Sequence, residues 1–249
     1  MQKQPNSSKV ALITGAARRI GAEIATHLHA AGMNIVVHYH SSQAEAEALC
    51  AHLNKLRENS AIAIQANLLD MSELRTLVDH AADIWGRLDV LINNASRFYK
   101  TDIEKTSEAD WYDLMDSNLK APFFLAQAAL AYLKQENGSI INIADIHGER
   151  PLRDYSVYCL SKAGLVMLTK VLAKELGPNI RVNAISPGAI AWPEGENDLS
   201  DTNKQQIISK TALQRHGAPS DIAKAVLYLV RDAEYVTGQV IVVDGGRLY

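Results

Sequence analysis

The 249-residue chain is 47% hydrophobic and 21% charged, the balance of an ordinary folded domain, and is long enough to bury a large core. A net charge of −3 with no basic run excludes the electrostatic footprint of a nucleic-acid binder and gives no sign of a membrane surface. Two cysteines, Cys50 and Cys159, without Cys-x-x-Cys or His/Cys ligand spacing argue against a disulfide framework or a zinc site and fit a reducing cytoplasm.

The opening MQKQPNSS reads as a polar tail over residues 1–8, followed by an apolar run too short for a signal peptide or a membrane span. The expectation is a soluble cytoplasmic chain with one domain over 9–249. Lys9–Thr14 is a short strand, followed by a Gly-containing turn and a helix to about Ala31 that Gly32 stops. Asn34–His40 is the second strand, and Ser42 is placed to cap the Ala/Glu-rich helix after it. Ala61–Ala66, a helix near Ser72–Ile84 and the strand Leu88–Asn93 follow. Ser107–Leu133 opens on Ser-x-x-Asp, a capping-box pattern, and Pro122 should kink or divide it. Ile140–Ile143 is a strand set off by an Asn137-Gly138 turn, and the helix after it ends at Gly177-Pro178. Ile180–Ile185 and Gln239–Val243 complete seven strands, separated by a polar Pro/Gly-bearing stretch and the helix Ser220–Val230. Apolar strands alternating with helices predict a Rossmann-type α/β fold: one doubly wound, seven-stranded parallel sheet covered on both faces.

Ligands in such folds bind at the carboxyl ends of the strands, so the residues just after each strand carry the functional expectation. Gly15 permits a tight turn, and the helix N-terminus after it, with Arg18, Arg19 and Ile20, suits a pyrophosphate. An ordinary turn between strand and helix would read the same way. The second strand ends in His38-Tyr39-His40-Ser41 with no acid to hold a ribose 2′-hydroxyl, so NADPH is expected over NADH. His38 and His40 share a strand face but have no third ligand in reach, so no metal is expected. Tyr158 and Lys162 are four residues apart on one helix face, where an ammonium would favour phenolate and draw the phenol toward acid–base work near neutrality. That pair alone is common on solvated helices.

Taken together, the early glycine turn, Asn93-Asn94-Ala95, Asn118, Tyr158-x-x-x-Lys162, Pro187-Gly188 and Asp244-Gly245-Gly246 resemble the short-chain dehydrogenase/reductase family over nearly the whole chain. The resemblance implies that Tyr158 is the proton donor, that Lys162 holds the nicotinamide ribose, and that Asn118 supports a relay water. It also implies that Asn67, Leu68, Asn94 and Ala95 line the adenosine side and Pro187-Gly188 the nicotinamide end. Within the family the details are similar to the pteridine reductases: Arg19 at the centre of the first turn, Asp145 ahead of Tyr158 where Ser is common, and Ser96-Arg97-Phe98-Tyr99. By that resemblance Phe98 and the nicotinamide sandwich a pterin ring whose polar edge meets Ser96, Arg19, Asp145 and Tyr158, in a homotetramer. Arg97, Ile190 and Ser41 depart from the pattern of those reductases.

Plainer roles stand beside these. Phe98-Tyr99 could be loop packing, Asp145 a loop cap, and residues 192–210 either a substrate-covering loop or a solvated connection. Cys159 points about 100° away from Tyr158 around the helix, which argues against a nucleophile. The expected activity is NADPH-dependent pterin reduction. The alternatives are a carbonyl or 3-oxoacyl thioester reductase of the same family, and a non-catalytic NADPH-binding regulator.

Overall fold

The computed structural model describes residues 8–192 and 200–248; most of the polar tail and residues 193–199 of the expected 192–210 loop lie outside them. Seven strands form one sheet in the order β3-β2-β1-β4-β5-β6-β7, with every pairing parallel. They are β1 (Val10–Ile13), β2 (Asn34–Tyr39), β3 (Ala61–Gln65), β4 (Val90–Asn93), β5 (Ser139–Ile143), β6 (Arg181–Pro187) and β7 (Val240–Val243). The chain turns back across the sheet at β1, which pairs with β2 on one side and β4 on the other. That is the switch point at which doubly wound sheets bind their ligands.

Strand side chains alternate between two cores. Ala11 and Ile13 of β1 face the helices α1 (Arg19–Ala30), α2 (Gln43–Leu56) and α8 (Pro219–Arg231), where Ile24, Leu28, Leu53, Ile222 and Val226 are fully buried. Val10 and Leu12 face α3 (Met71–Asp83), α5 (Ala121–Glu136) and α6 (Ser156–Leu176), against Leu74, Leu77, Leu125, Leu133 and Leu165. Strands buried on both faces explain why the sequence shows continuous apolar runs rather than strict alternation. The helix α6 is long and apolar enough to cross a membrane, but here it is the core helix packed on β6.

Several local expectations are modified. Ser42 sits at the start of α2 without a side-chain capping bond, whereas Asp70 caps α3 by accepting from the Ser72 N–H. Ser107 and Asp110 form the reciprocal capping box at α4 (Glu108–Met115). The long helix is interrupted by a π-helical turn at Asp116–Lys120, and Pro122 takes a first-turn position of α5 just after it. The stretch expected to be wholly loop carries α7 (Asp201–Ser209), which Ser200 caps at the Asn203 N–H.

Candidate active site

A cavity of about 790 Å³ opens at the carboxyl ends of β1, β4, β5 and β6. Its first half is built on the turn after β1. Gly15 has φ +60, and a Cβ there would lie 3.0 Å from the Ala95 Cα, so only glycine lets the two loops meet. The Thr14 hydroxyl accepts from the N–H groups of Asn94 (2.9 Å) and Ala95 (3.0 Å), and the Asn94 amide donates to the carbonyls of Thr14 (2.8 Å) and Gly15 (3.0 Å). No side chain caps the N-terminus of α1, and the turn residues Ala17 to Gly21 line the cavity. A helix end of this kind is an anion site in waiting.

Arg19 stands in the left-handed region at φ +55 and its guanidinium donates to the Trp192 carbonyl at 2.7 Å, bridging the first turn to the loop after β6. A non-glycine residue there costs on the order of 1 kcal/mol. Arg18 also lines the cavity, with a loose ion pair to Glu45 at 3.6 Å. Tyr39, His40, Ser41, Asn94, Ala95, Ser96, Pro187 and Gly188 complete this half.

His38 is not at the cavity. Its buried ring accepts from the Gly15 N–H at Nδ1 (3.0 Å) and pairs with the Ala66 carbonyl at Nε2 (3.1 Å). Burial lowers its pKa to about 4, so it is a neutral brace beneath the turn, with the Nε2–H tautomer its partners require. Asn67 and Leu68 are likewise outside the lining: Asn67 donates its N–H to Glu73 and accepts from the Leu69 N–H, closing the β3–α3 turn. Among the described residues no group of His, Cys, Asp or Glu could hold a metal.

The second half is built on α6. The Tyr158 hydroxyl donates to Asp145 Oδ2 at 2.8 Å, and Asp145 Oδ1 accepts from the His147 N–H at 2.8 Å. The loop-cap role foreseen for Asp145 is present, and the second oxygen of the same carboxylate is held against the Tyr158 hydroxyl. Lys162 is 2% exposed; its Nζ donates to the Ile143 carbonyl at 2.9 Å and lies 5.8 Å from the Tyr158 ring centre. Burial lowers the lysine to about 8, against a pull upward from Asp145. Burial and then Asp145 push Tyr158 well above the ordinary phenol range. The expected drift toward phenolate is therefore reversed: desolvation outweighs the ammonium, and the phenol keeps its proton.

Phe98 lines the cavity, stacked on Tyr155 (4.6 Å between centres, 15°) and edge-on to Tyr158 (4.8 Å). Arg97 turns away to pair with Asp113. Asn118 is buried in the π turn with its amide fully used: Oδ1 accepts from the Arg97 N–H, and Nδ2 donates to the Arg97 carbonyl and to Ser161. It fixes the loop that carries Phe98. The Cys159 thiol, raised by burial, accepts from the Leu152 N–H and is structural. His147, Arg153, Ile190 and Trp192, the first residue of the expected 192–210 loop, line the cavity, as do Lys100, Leu152, Tyr155 and Arg247, which sequence reasoning passed over. Arg247 follows Asp244-Gly245-Gly246 directly, and that turn was the available signal.

The family model described as "Enoyl-(Acyl carrier protein) reductase" matches residues 15–247. The 3-oxoacyl-[acyl-carrier-protein] reductase FabG of Staphylococcus aureus is 38% identical over 242 residues, covering 96% of this chain and 98% of that protein. The chain belongs to the short-chain dehydrogenase/reductase family. Pteridine reductase 1 of Leishmania tarentolae is 36% identical over 281 residues (96% of each chain), and a Synechocystis 3-oxoacyl-[acyl-carrier-protein] reductase is 37% identical over 246 residues (97% and 98%). The oxidoreductases of this family use a nicotinamide dinucleotide, and the site fits one. The uncapped α1 end and Gly15 leave room for a pyrophosphate, and the buried Lys162 is on the lining of the same cavity.

Proposed function

We propose that this short-chain reductase uses NADPH to reduce oxidised pterins to their tetrahydro forms. The observation that carries the reading is the carboxylate of Asp145 held 2.8 Å from the Tyr158 hydroxyl. A ketone gaining negative charge needs donors around its oxygen, and an ionised carboxylate there raises the energy of the alkoxide. A ring nitrogen that gains a proton is served by the opposite arrangement.

The bound nicotinamide would supply hydride to a ring carbon. Gly15, the α1 N-terminus, Arg18 and Ser41 would hold the cofactor's phosphates, with Tyr39 and His40 beside them and Asn94, Ala95, Pro187 and Gly188 along its length. Arg18, and the absence of an acid at the end of β2, support the 2′-phosphate form. Tyr158, fully protonated at neutral pH, turns its O–H from Asp145 to the ring nitrogen, and Asp145 stabilises positive charge developing there. Lys162 contributes a cation beneath the phenol and donors toward the ribose. Phe98 presents an aromatic platform, while Ser96 and Arg19 meet the ring's polar edge.

The second reading is 3-oxoacyl thioester reduction, favoured by the names that most of the reported relatives carry. NADPH oxidation by the purified protein over pterins, folates, ketones and a 3-oxoacyl thioester separates the two. The expected outcome is turnover of pterins, lost to a large extent in Asp145→Ser with NADPH binding retained. Faster turnover of the thioester than of any pterin, or full pterin activity in Asp145→Ser, overturns the pterin reading. Binding of NADPH with no turnover of anything would leave the regulator.

A further inference from the structure

The cavity wall around Asp145 contains a cation that the reduction step does not use. Arg247 lies in the turn after β7, and the turn is fixed from two sides. Asp244 accepts from the N–H groups of Gly246 (2.8 Å) and Leu248 (2.7 Å). Arg150 donates to the carbonyls of Leu248 (2.9 Å) and Arg247 (3.4 Å). Gly245 and Gly246, at φ +65 and +80, make the bend possible. The result is a half-buried guanidinium on the cavity wall, attracted by Asp145 and Asp244 and repelled by Arg150.

Among the described residues that guanidinium has no hydrogen bond or ion pair, and its two neighbouring carboxylates are already committed. Asp145 holds the Tyr158 hydroxyl and the His147 N–H, while Asp244 holds its own turn. An arginine taken partly out of water needs acceptors, and its planar fork suits a carboxylate or a phosphate. Lys100 and Arg153 line the same cavity with exposed side chains, and the ion pair of Arg153 is a loose one to adjacent Asp154 at 3.8 Å. The cofactor's phosphates have their own cation in Arg18, whose partner Glu45 belongs to α2.

We propose that this end of the cavity reads an anionic substituent on the substrate, with Arg247 as the residue that determines the preference. Resting on the pterin reading, this narrows the substrate to pterins whose side chain carries a carboxylate or a phosphate. The test compares three dihydropterins with neutral hydroxyalkyl, phosphorylated and glutamate-bearing tails. In the wild type, kcat/KM is expected to favour at least one charged tail, and that advantage should shrink as ionic strength rises. Arg247→Ala should lower the charged-to-neutral ratio of kcat/KM by tenfold or more, mainly through KM, and Arg247→Lys should keep most of it. Whichever tail loses its advantage in Arg247→Ala identifies the anion. A wild type with no charge preference, or a ratio that Arg247→Ala leaves unchanged, overturns the inference alone. A wild type that turns over no pterin overturns the function and the inference together. Should Arg247→Ala be too unstable to assay, the salt dependence of the wild type and the ratio in Arg247→Lys decide the matter.

Discussion

At the scale of single residues, the site turns on how burial and hydrogen bonding set two protons. Tyr158→Phe keeps the ring packed against Phe98 and removes only the hydroxyl, so NADPH affinity should survive while turnover falls by about two to four decades. Near-normal turnover in that variant would remove Tyr158 from the chemistry. Lys162, lowered to about 8 by burial, is charged at neutral pH and loses its proton as pH rises through that value. Turnover and cofactor affinity should therefore decline together on the alkaline side, with a midpoint near 8, and Lys162→Met should abolish that limb. A profile flat to pH 10 would count against it. The same shift makes the lysine a burden on the fold below about pH 8, relieved as pH climbs toward the free-lysine value, because the unfolded chain there binds the extra proton. The spacing of Tyr158 and Lys162 was legible from the sequence because a helix period dictates it. The direction of the tyrosine shift was not, since four-residue spacing says nothing about how dry the pair becomes. His38 shows the same limit: its place at the end of β2 was readable, but not that its ring turns inward beneath Gly15.

At the scale of elements, α6 is keyed to the sheet by a buried polar ladder. Asn93 donates to Asn142, Asn142 donates to Thr169, and Thr169 donates to the Leu165 carbonyl, at 2.8, 2.9 and 2.9 Å. Apolar packing alone tolerates rotation of a helix; these bonds do not. Thr169→Val preserves shape but strands the Asn142 amide, so it should destabilise the protein by about 1–3 kcal/mol, read as a lower urea midpoint at unchanged slope. A loss under about 0.5 kcal/mol would mean the ladder is rescued by water or is unimportant. Most element boundaries followed from apolar runs and caps. The π turn did not, because Pro122 announces a helix start while the extra residue is held by tertiary bonds from Asn118 to Arg97 and Ser161.

For the whole molecule, the alternation of strand and helix was enough to fix the fold class, and the crossover at β1 located the site. The far end of the cavity was harder, because Ile190, Trp192 and Arg247 reach it from separated loops that share no periodicity. The proposed homotetramer belongs to this scale. Leu160, Met167 and Val171 form an exposed apolar stripe on the outer face of α6, and Phe123 is exposed on α5. Such faces support association of copies through these helices. Sedimentation should find a tetramer for the wild type and smaller species for Met167→Lys; a monomeric wild type would rule the proposal out.

One consequence of Asp145 concerns how such an enzyme changes trade over generations. Its two oxygens do separate jobs, one holding the Tyr158 hydroxyl and the other capping the turn at His147. A replacement must therefore satisfy a local folding requirement before its chemistry can be tried by selection. Serine can cap such a turn and also donate to a ketone oxygen, whereas alanine can do neither. A serine in place of Asp145 would thus keep the turn capped while changing what the site offers its substrate. Side chains that cannot cap are filtered out before their catalytic merit counts.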